Sequence, residues 1–211
     1  MYIMLGTRPD IAHAVGILSR FSSNPSPDHI RAVNRTFGYL SNTQGTALCY
    51  RKTDSPKPIY GYTDADWGGE RETGRSTSGY VFFLSSAAIS WSSKKQGVTA
   101  TSTTEAEYIA LFHGTLNAVW IGYPPEKAID ILCDNKAAVD IANGGDLPHD
   151  RTKHINVKYN RVRDHVASNE ISVTQVKSEK NLADQFTKVL PRDRFNNLSD
   201  ALGFEPLDQL S

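Results

Sequence analysis

Ile59-Tyr60-Gly61-Tyr62-Thr63-Asp64-Ala65-Asp66, followed by the run Tyr80-Val81-Phe82-Phe83, decides the fold class of this chain. Aromatic and β-branched residues dominate both stretches, and small or polar residues punctuate the gaps, so residues 59–66, 76–84 and 87–93 read as three successive strands. Downstream the rhythm changes. Residues 103–121 are helical, 129–133 form a short β-rich segment, and 136–142 and 151–167 form a short and a longer helix. Residues 171–176 alternate as a strand and 181–189 read as a closing helix. The order βββ, helix, β, helix, helix, β, helix predicts an α/β domain: a mixed five-stranded sheet with flanking helices, whose last two strands are crossovers added in parallel.

Upstream, Thr7 is a candidate N-cap with Pro9 in the first turn and Asp10 near the positive end of the helix dipole, ahead of an apolar face made by Ile11, Val15, Ile17 and Leu18. The Ser22-Ser23-Asn24-Pro25 break leads to a second start at Ser26-Pro27-Asp28, with Ile30, Val33, Phe37 and Leu40 at helical spacing. Residues 1–52 are therefore expected to form a small helical hairpin, 58–191 the α/β domain and 192–211 a tail. The polar, proline-containing 52–58 stretch marks the boundary.

The 211 residues are 39% hydrophobic, enough for a real core. Twenty-three Lys and Arg balance 23 Asp and Glu, so contact with a polyanion has to come from local basic clusters. Cys49 and Cys133 lie far apart in sequence, which suits a reducing compartment. The start is too short for a signal segment and no run approaches a membrane span, so an intracellular, cytoplasmic location without membrane contact is expected, with a virus-like particle or the nucleus as alternatives.

Acids recur in four places: Asp64 and Asp66, Glu105 and Glu107, Asp134, and Asp184. Two divalent cations about 3.5–4 Å apart can hold both the attacking water and the leaving oxygen of a phosphodiester, and such hard ions take oxygen ligands. Asp64 and Asp66 point to one face of a regular strand. Glu105 and Glu107 sit in a first helical turn, where the dipole favours acids regardless of function. Glu105 shares a bulky stripe with Ile109, Phe112, Leu116 and Val119; Glu107 shares a face with Ala110, Leu111, Gly114 and Ala118, whose small residues let a helix approach a sheet. Periodicity alone chooses neither glutamate. Asp134 and Asn135 follow a strand and precede a helix, which suits either an N-cap or a functional group beyond a strand end, and Asp184 equally fits a capping position.

Taken together, Gly61-Tyr62-Thr63-Asp64-Ala65-Asp66-Trp67, Arg75-Ser76-Thr77-Ser78-Gly79-Tyr80, Ser102-Thr103-Thr104-Glu105-Ala106-Glu107-Tyr108, Cys133-Asp134-Asn135, Arg151-Thr152-Lys153-His154-Ile155 and Leu182-Ala183-Asp184-Gln185-Phe186-Thr187-Lys188 resemble the ribonuclease H domain of copia-type retrotransposon Pol polyproteins. Residues 1–50 resemble the tail of that family's reverse transcriptase. The resemblance implies a ribonuclease H-like fold and Asp64, Glu107, Asp134 and Asp184 as catalytic, metal-binding carboxylates. It also implies two Mg²⁺ or Mn²⁺ ions, cleavage of the RNA strand of an RNA–DNA hybrid, and an upstream reverse-transcriptase domain as partner in a polyprotein. The alternative is a non-catalytic, transposon-derived module that binds nucleic acid or protein. Two departures stand out: the helix ends early at Tyr123-Pro124-Pro125, and Ser178-Glu179-Lys180-Asn181 lacks the histidine loop of cellular ribonucleases H.

For substrate contacts, Arg75, Ser76 and Thr77 are candidate phosphate donors beside a strand start, and His154 a candidate near the metals. Arg151, Lys153, Lys158, Arg161 and Arg163 form a basic segment that can lie along phosphates or serve as a solvated helix face. Trp67 and Trp91 are expected in the core.

Overall fold

The computed structural model describes residues 2–52, 58–70, 72–121, 127–146 and 153–209. The elements in order are α1 (Tyr2–Gly6), α2 (Ala12–Leu18), α3 (Pro27–Asn42), β1 (Thr46–Leu48), β2 (Tyr60–Asp66), β3 (Thr77–Leu84) and β4 (Ala87–Lys95). They continue with α4 (Thr103–Trp120), β5 (Ile129–Cys133), α5 (Lys136–Ala142), α6 (Lys153–Ala167), β6 (Ile171–Gln175), α7 (Arg192–Ala201) and β7 (Phe204–Pro206). The main sheet has the order β4-β3-β2-β5-β6, with β2–β3 and β3–β4 antiparallel and β2–β5 and β5–β6 parallel. This is the expected mixed five-stranded sheet. The early end of α4 anticipated at Tyr123-Pro124-Pro125 and the 53–57 part of the boundary stretch lie outside the described residues.

Strand alternation divides the core between the two faces of the sheet. On one face Phe82, Ile131, Cys133 and Ile171 meet Tyr108 and Leu111 of α4 and Tyr159 and Val162 of α6. On the other, Val81 and Phe83 pack with Ala12 of α2, Phe186 and Leu202. Each fully buried ring or branched chain contributes about 1.5–3 kcal/mol relative to exposure. Trp91 packs partly buried against this second cluster. Trp67 departs from expectation: it is 54% exposed, its indole N–H donating to the Ala100 carbonyl at 3.1 Å, because it follows the last residue of the central strand into a turn beyond the end of the sheet.

The amino-terminal segment contains helices, but two details differ from expectation. The turn Pro9–Ile11 is a 3-10 helix that follows Arg8 with no side-chain cap, so Thr7 does not cap it. Asp10 is buried, held by Arg8 at 2.7 Å and by the Tyr39 hydroxyl at 2.7 Å, and so ties the first turn to α3 instead of serving a dipole. Ser26 does cap α3, its hydroxyl accepting from the His29 amide while its own amide donates to His29 Nδ1 at 3.0 Å. The apolar face of α3 is left largely uncovered, with Phe37 65% exposed.

Residues 181–189 do not form the expected helix; only Asp184–Phe186 makes a 3-10 turn. Side chains hold the segment to the sheet instead: Asn181 donates to the Thr63 carbonyl at 2.9 Å and accepts from the Ala183 amide at 3.0 Å, while Gln185 donates to the Leu198 carbonyl at 3.3 Å. Beyond it, α7 and β7 fold back, and β7 pairs antiparallel with β1.

Candidate active site

Four elements bring the four acids to one end of the sheet. Asp64 lies near the end of β2 and Asp134 directly follows β5; because these strands run parallel with Thr63 opposite Cys133, both deliver carboxylates beyond the same edge. Glu107 comes from α4, which crosses β2 closely: a Cβ on Gly114 would stand 2.5 Å from Thr63 Cγ2, so only glycine permits that approach. Asp184 comes from the 3-10 turn, which reaches β3 at Gly79, the residue paired with Asp64. A Cβ on Gly79 would lie 2.7 Å from Thr187 Cγ2 and 2.8 Å from Phe186 Cβ.

The alternatives left open by periodicity separate by direction, since each glutamate keeps one buried oxygen without a hydrogen-bond partner among the described residues. Glu105 Oε2 accepts from the Thr101 amide at 2.8 Å and the Thr101 hydroxyl at 2.6 Å, closing the start of α4. Glu107 turns toward Asp64 and Asp134 instead, and its Oε2 is buried without a hydrogen-bond partner among the described residues. Asn135 caps α5 by accepting from the Ala138 amide at 3.0 Å, which leaves Asp134 free of that duty. Asp66 accepts from the Thr77 amide, and burial pushes its carboxyl up to about 6 against that bond.

The cluster has two unlike halves. Around Glu107 the acids face one another: burial, then the charges of Asp64 and Asp134, hold the Glu107 carboxyl well above the ordinary carboxylate range. One ligand atom each from Glu107, Cys133 and Asp134 lies within 4.8 Å of the others. Burial drives the Cys133 thiol far up, so it stays protonated and suits a hard cation poorly. Around Asp184 the charge is answered. Lys188 Nζ lies 2.8 Å from Asp184 Oδ1 and 3.2 Å from the Asp64 carboxylate, and Arg194 Nη2 lies 3.1 Å from Asp184 Oδ2. The Thr187 hydroxyl also donates to Asp64, which is fully buried. Burial raises the Asp64 carboxyl, with Lys188 and then Thr187 opposing it. Burial works against the Lys188 ammonium, but Asp64 and Asp184 outweigh it and hold its affinity for the proton above that of an ordinary lysine.

Converging carboxylates and a buried Glu107 oxygen without a hydrogen-bond partner among the described residues form a donor set that fits divalent metal with oxygen ligands. Lys188 was part of a quoted motif, yet its role was not read from sequence; its signal is the spacing of four residues from Asp184. Thr187, Arg194 and Asn181 were likewise missed, since each acts through a contact across the fold.

The other candidates scatter. Ser76 and Thr77 are buried: the Ser76 hydroxyl accepts from the Gly68 amide at 3.1 Å and the Thr77 amide serves Asp66, so their expected role as phosphate donors is corrected to support of the β2–β3 turn. Arg75 is half-buried beside them. Arg163 donates to the carbonyls of Ile141 (2.9 Å) and Gly145, bracing the end of α5. Lys158 lies over the Phe112 ring at 5.9 Å, and Arg161 is exposed. Arg151 and the side chains of Lys153 and His154 lie outside what the structure describes.

A family model described as reverse transcriptase-like matches residues 63–188. The chain is 41% identical over 210 residues to the retrovirus-related Pol polyprotein from transposon TNT 1-94 of Nicotiana tabacum, covering 96% of this chain and 16% of that one. It is 35% identical over 204 residues to the Pol polyprotein from transposon RE1 of Arabidopsis thaliana, covering 93% of this chain and 14% of that one. Among solved structures, the foamy viral protease-reverse transcriptase in complex with dsDNA superposes with a TM-score of 0.54 at 13% identity, over 79% of this chain and 34% of that one. The chain thus spans only a small part of the polyproteins it matches.

Proposed function

The chain belongs to the reverse transcriptase-like family, as a ribonuclease H-type domain of a retrotransposon Pol polyprotein, and on that premise we propose that it hydrolyses the RNA strand of RNA–DNA hybrids. The observation that carries this reading is the convergence of Asp64, Glu107 and Asp134, with a buried Glu107 oxygen that has no hydrogen-bond partner among the described residues. Asp64, Glu107, Asp134 and Asp184 would hold two Mg²⁺ or Mn²⁺ ions, which would supply the Lewis acidity to activate water and stabilise the leaving 3′ oxygen. Acids alone repel phosphate, so these four carboxylates would accept a hybrid only once cations neutralise them.

The protein's own part is placement. The parallel ends of β2 and β5 fix Asp64 and Asp134, while the close crossing of α4 at Gly114 sets the depth of Glu107. Thr187 fixes the orientation of the Asp64 carboxylate. Arg75, Lys153, His154 and Arg161 are the substrate contacts in this reading; telling RNA from DNA requires contacts to 2′-hydroxyls. Residues 1–52 and 192–211 flank the 58–191 domain as the reverse-transcriptase tail and a closing segment, the upstream polymerase is the polyprotein partner, and the activity is cytoplasmic. No helix among the described residues is long and apolar enough to cross a membrane.

The test is cleavage of a labelled hybrid by the purified full chain. RNA in the hybrid is cut with Mg²⁺ or Mn²⁺, and duplex DNA is left intact. Cleavage that survives EDTA would remove the metal mechanism, and equal cleavage of duplex DNA would remove the assigned substrate.

A further inference from the structure

Between Asp64 and Asp184 the chain places its own cation. The Lys188 ammonium bridges the two carboxylates at 3.2 and 2.8 Å, and Arg194 takes the far oxygen of Asp184 at 3.1 Å. Two acids and two bases thus balance on this side of the cluster, whereas Glu107 faces the like charges of Asp64 and Asp134 and has one buried oxygen without a hydrogen-bond partner among the described residues. A divalent ion bound to one oxygen from each of Asp64 and Asp184 at about 2.0–2.1 Å would have to stand in the gap that Nζ fills. The two cations exclude each other.

Lys188 can yield that place. It sits at the end of a four-carbon stem, four residues from Asp184, and its side chain is 40% exposed. Its open side faces a cleft of about 510 Å³ lined by His13, Arg20, Asp66 and Thr187. Arg194 is anchored differently, donating also to the backbone carbonyls of Glu179 and Ser178, so it stays on Asp184 when Lys188 leaves.

We propose that Lys188 is a tethered competitor for one of the two metal positions: it closes the Asp64–Asp184 half of the site until a divalent ion, bound after the Glu107–Asp134 half is filled, displaces it into the neighbouring cleft. This rests on reading the acids as a metal site. It makes metal loading ordered, with the second step weakened by the fraction of molecules in which the ammonium occupies the gap. A positioning role follows as well, because Asp64 belongs to both halves and is held by Lys188 in the metal-free state.

The experiment is Mn²⁺ binding to the full chain, followed by calorimetry and by electron paramagnetic resonance of free Mn²⁺, without nucleic acid. Wild type should bind one ion tightly and a second more weakly. Lys188→Met should tighten the second step about tenfold or more, and by a larger factor than the first, which also feels the lost charge through Asp64, and Lys188→Arg, which keeps the charge, should retain a weak second step. Should Lys188→Met fail to fold, the wild type still decides: acetylation of the Lys188 amine, read by mass spectrometry, should rise severalfold when Mn²⁺ replaces EDTA. Unchanged second-step affinity in a folded Lys188→Met, or unchanged Lys188 labelling on Mn²⁺ binding, overturns the competitor role and leaves the metal site standing. Absence of Mn²⁺ binding in every variant overturns both.

Discussion

The two halves of the acidic cluster share Asp64 and differ in what balances it. On the Asp184 side each carboxylate meets a base or a hydroxyl, an arrangement that stabilises the folded chain as it stands. On the Glu107 side burial and like charge raise proton affinity, an arrangement that costs stability until a cation arrives. One cluster of acids thus holds both answered carboxylates and, at Glu107, a buried oxygen without a hydrogen-bond partner among the described residues. The same contrast separates two helices. The small-residue face of α4 is buried on β2 and carries Glu107 to the site, whereas α3 has an equally regular apolar face that stays largely exposed.

The largest expected effect comes from the carboxylate common to both halves. Asp64→Asn should lower Mg²⁺-dependent hybrid cleavage on the order of 10³-fold, since several kcal/mol of charge stabilisation is lost at about 1.4 kcal/mol per factor of ten. The fold should survive, because burial already disfavours the charged form of Asp64. Steady-state kinetics with circular dichroism checks both statements; a variant that keeps a tenth of wild-type activity would show that Asp64 is not shared.

A smaller effect should follow on the answered side. Arg194→Ala removes one partly exposed ion pair and two backbone contacts, so it should cost about 1 kcal/mol of stability. Thermal melts should register a drop of roughly 2–4 °C. Cleavage should fall by less than tenfold. A collapse of activity in a well-folded Arg194→Ala would erase the distinction between the halves.

The smallest effect concerns the basic segment, where two neighbours of equal charge differ in engagement. Arg161→Ala should flatten the salt dependence of hybrid binding by up to about 0.9 in log–log slope, the loss of one phosphate contact. Arg163→Ala should leave the slope alone and loosen the end of α5, because its guanidinium already serves Ile141 and Gly145. Binding titrations at several salt concentrations separate the two; equal slopes in both variants would make the exposed face of α6 plain solvated surface.

How much of this was legible in sequence follows from the range of the interactions. The three successive strands, the parallel crossovers and the close approach of α4 were readable, because alternation and a face of small residues are local signals. The preference for Glu107 came from motif resemblance; in the structure Glu105 closes the start of α4 on Thr101, while Glu107 lies toward Asp64 and Asp134. The 181–189 segment misled because Leu182, Ala183 and Phe186 mimic a helical face while Asn181 and Gln185 bond across the fold and interrupt it. Ser76 and Thr77 looked like donors because exposure is not written in residue type. The pairing of β1 with β7 joins three-residue strands more than 150 residues apart, too short for any periodic signal. The exposed face of α3 carries the complementary lesson: periodicity announces a helix and leaves its partner unstated.

The most direct measurement compares the two glutamates of one helical turn. Glu107→Gln and Glu105→Gln are assayed for hybrid cleavage at saturating Mg²⁺ and equal folded fractions. Glu107→Gln keeps size and removes a charge from the unanswered half, so cleavage should collapse on the order of 10²-fold or more with folding intact. Glu105→Gln weakens only the closure of α4 and an acid's favourable place near the helix N-terminus, a loss of about 0.3–1 kcal/mol, and should retain most activity. Loss of cleavage in Glu105→Gln with Glu107→Gln active would contradict the assignment of the site.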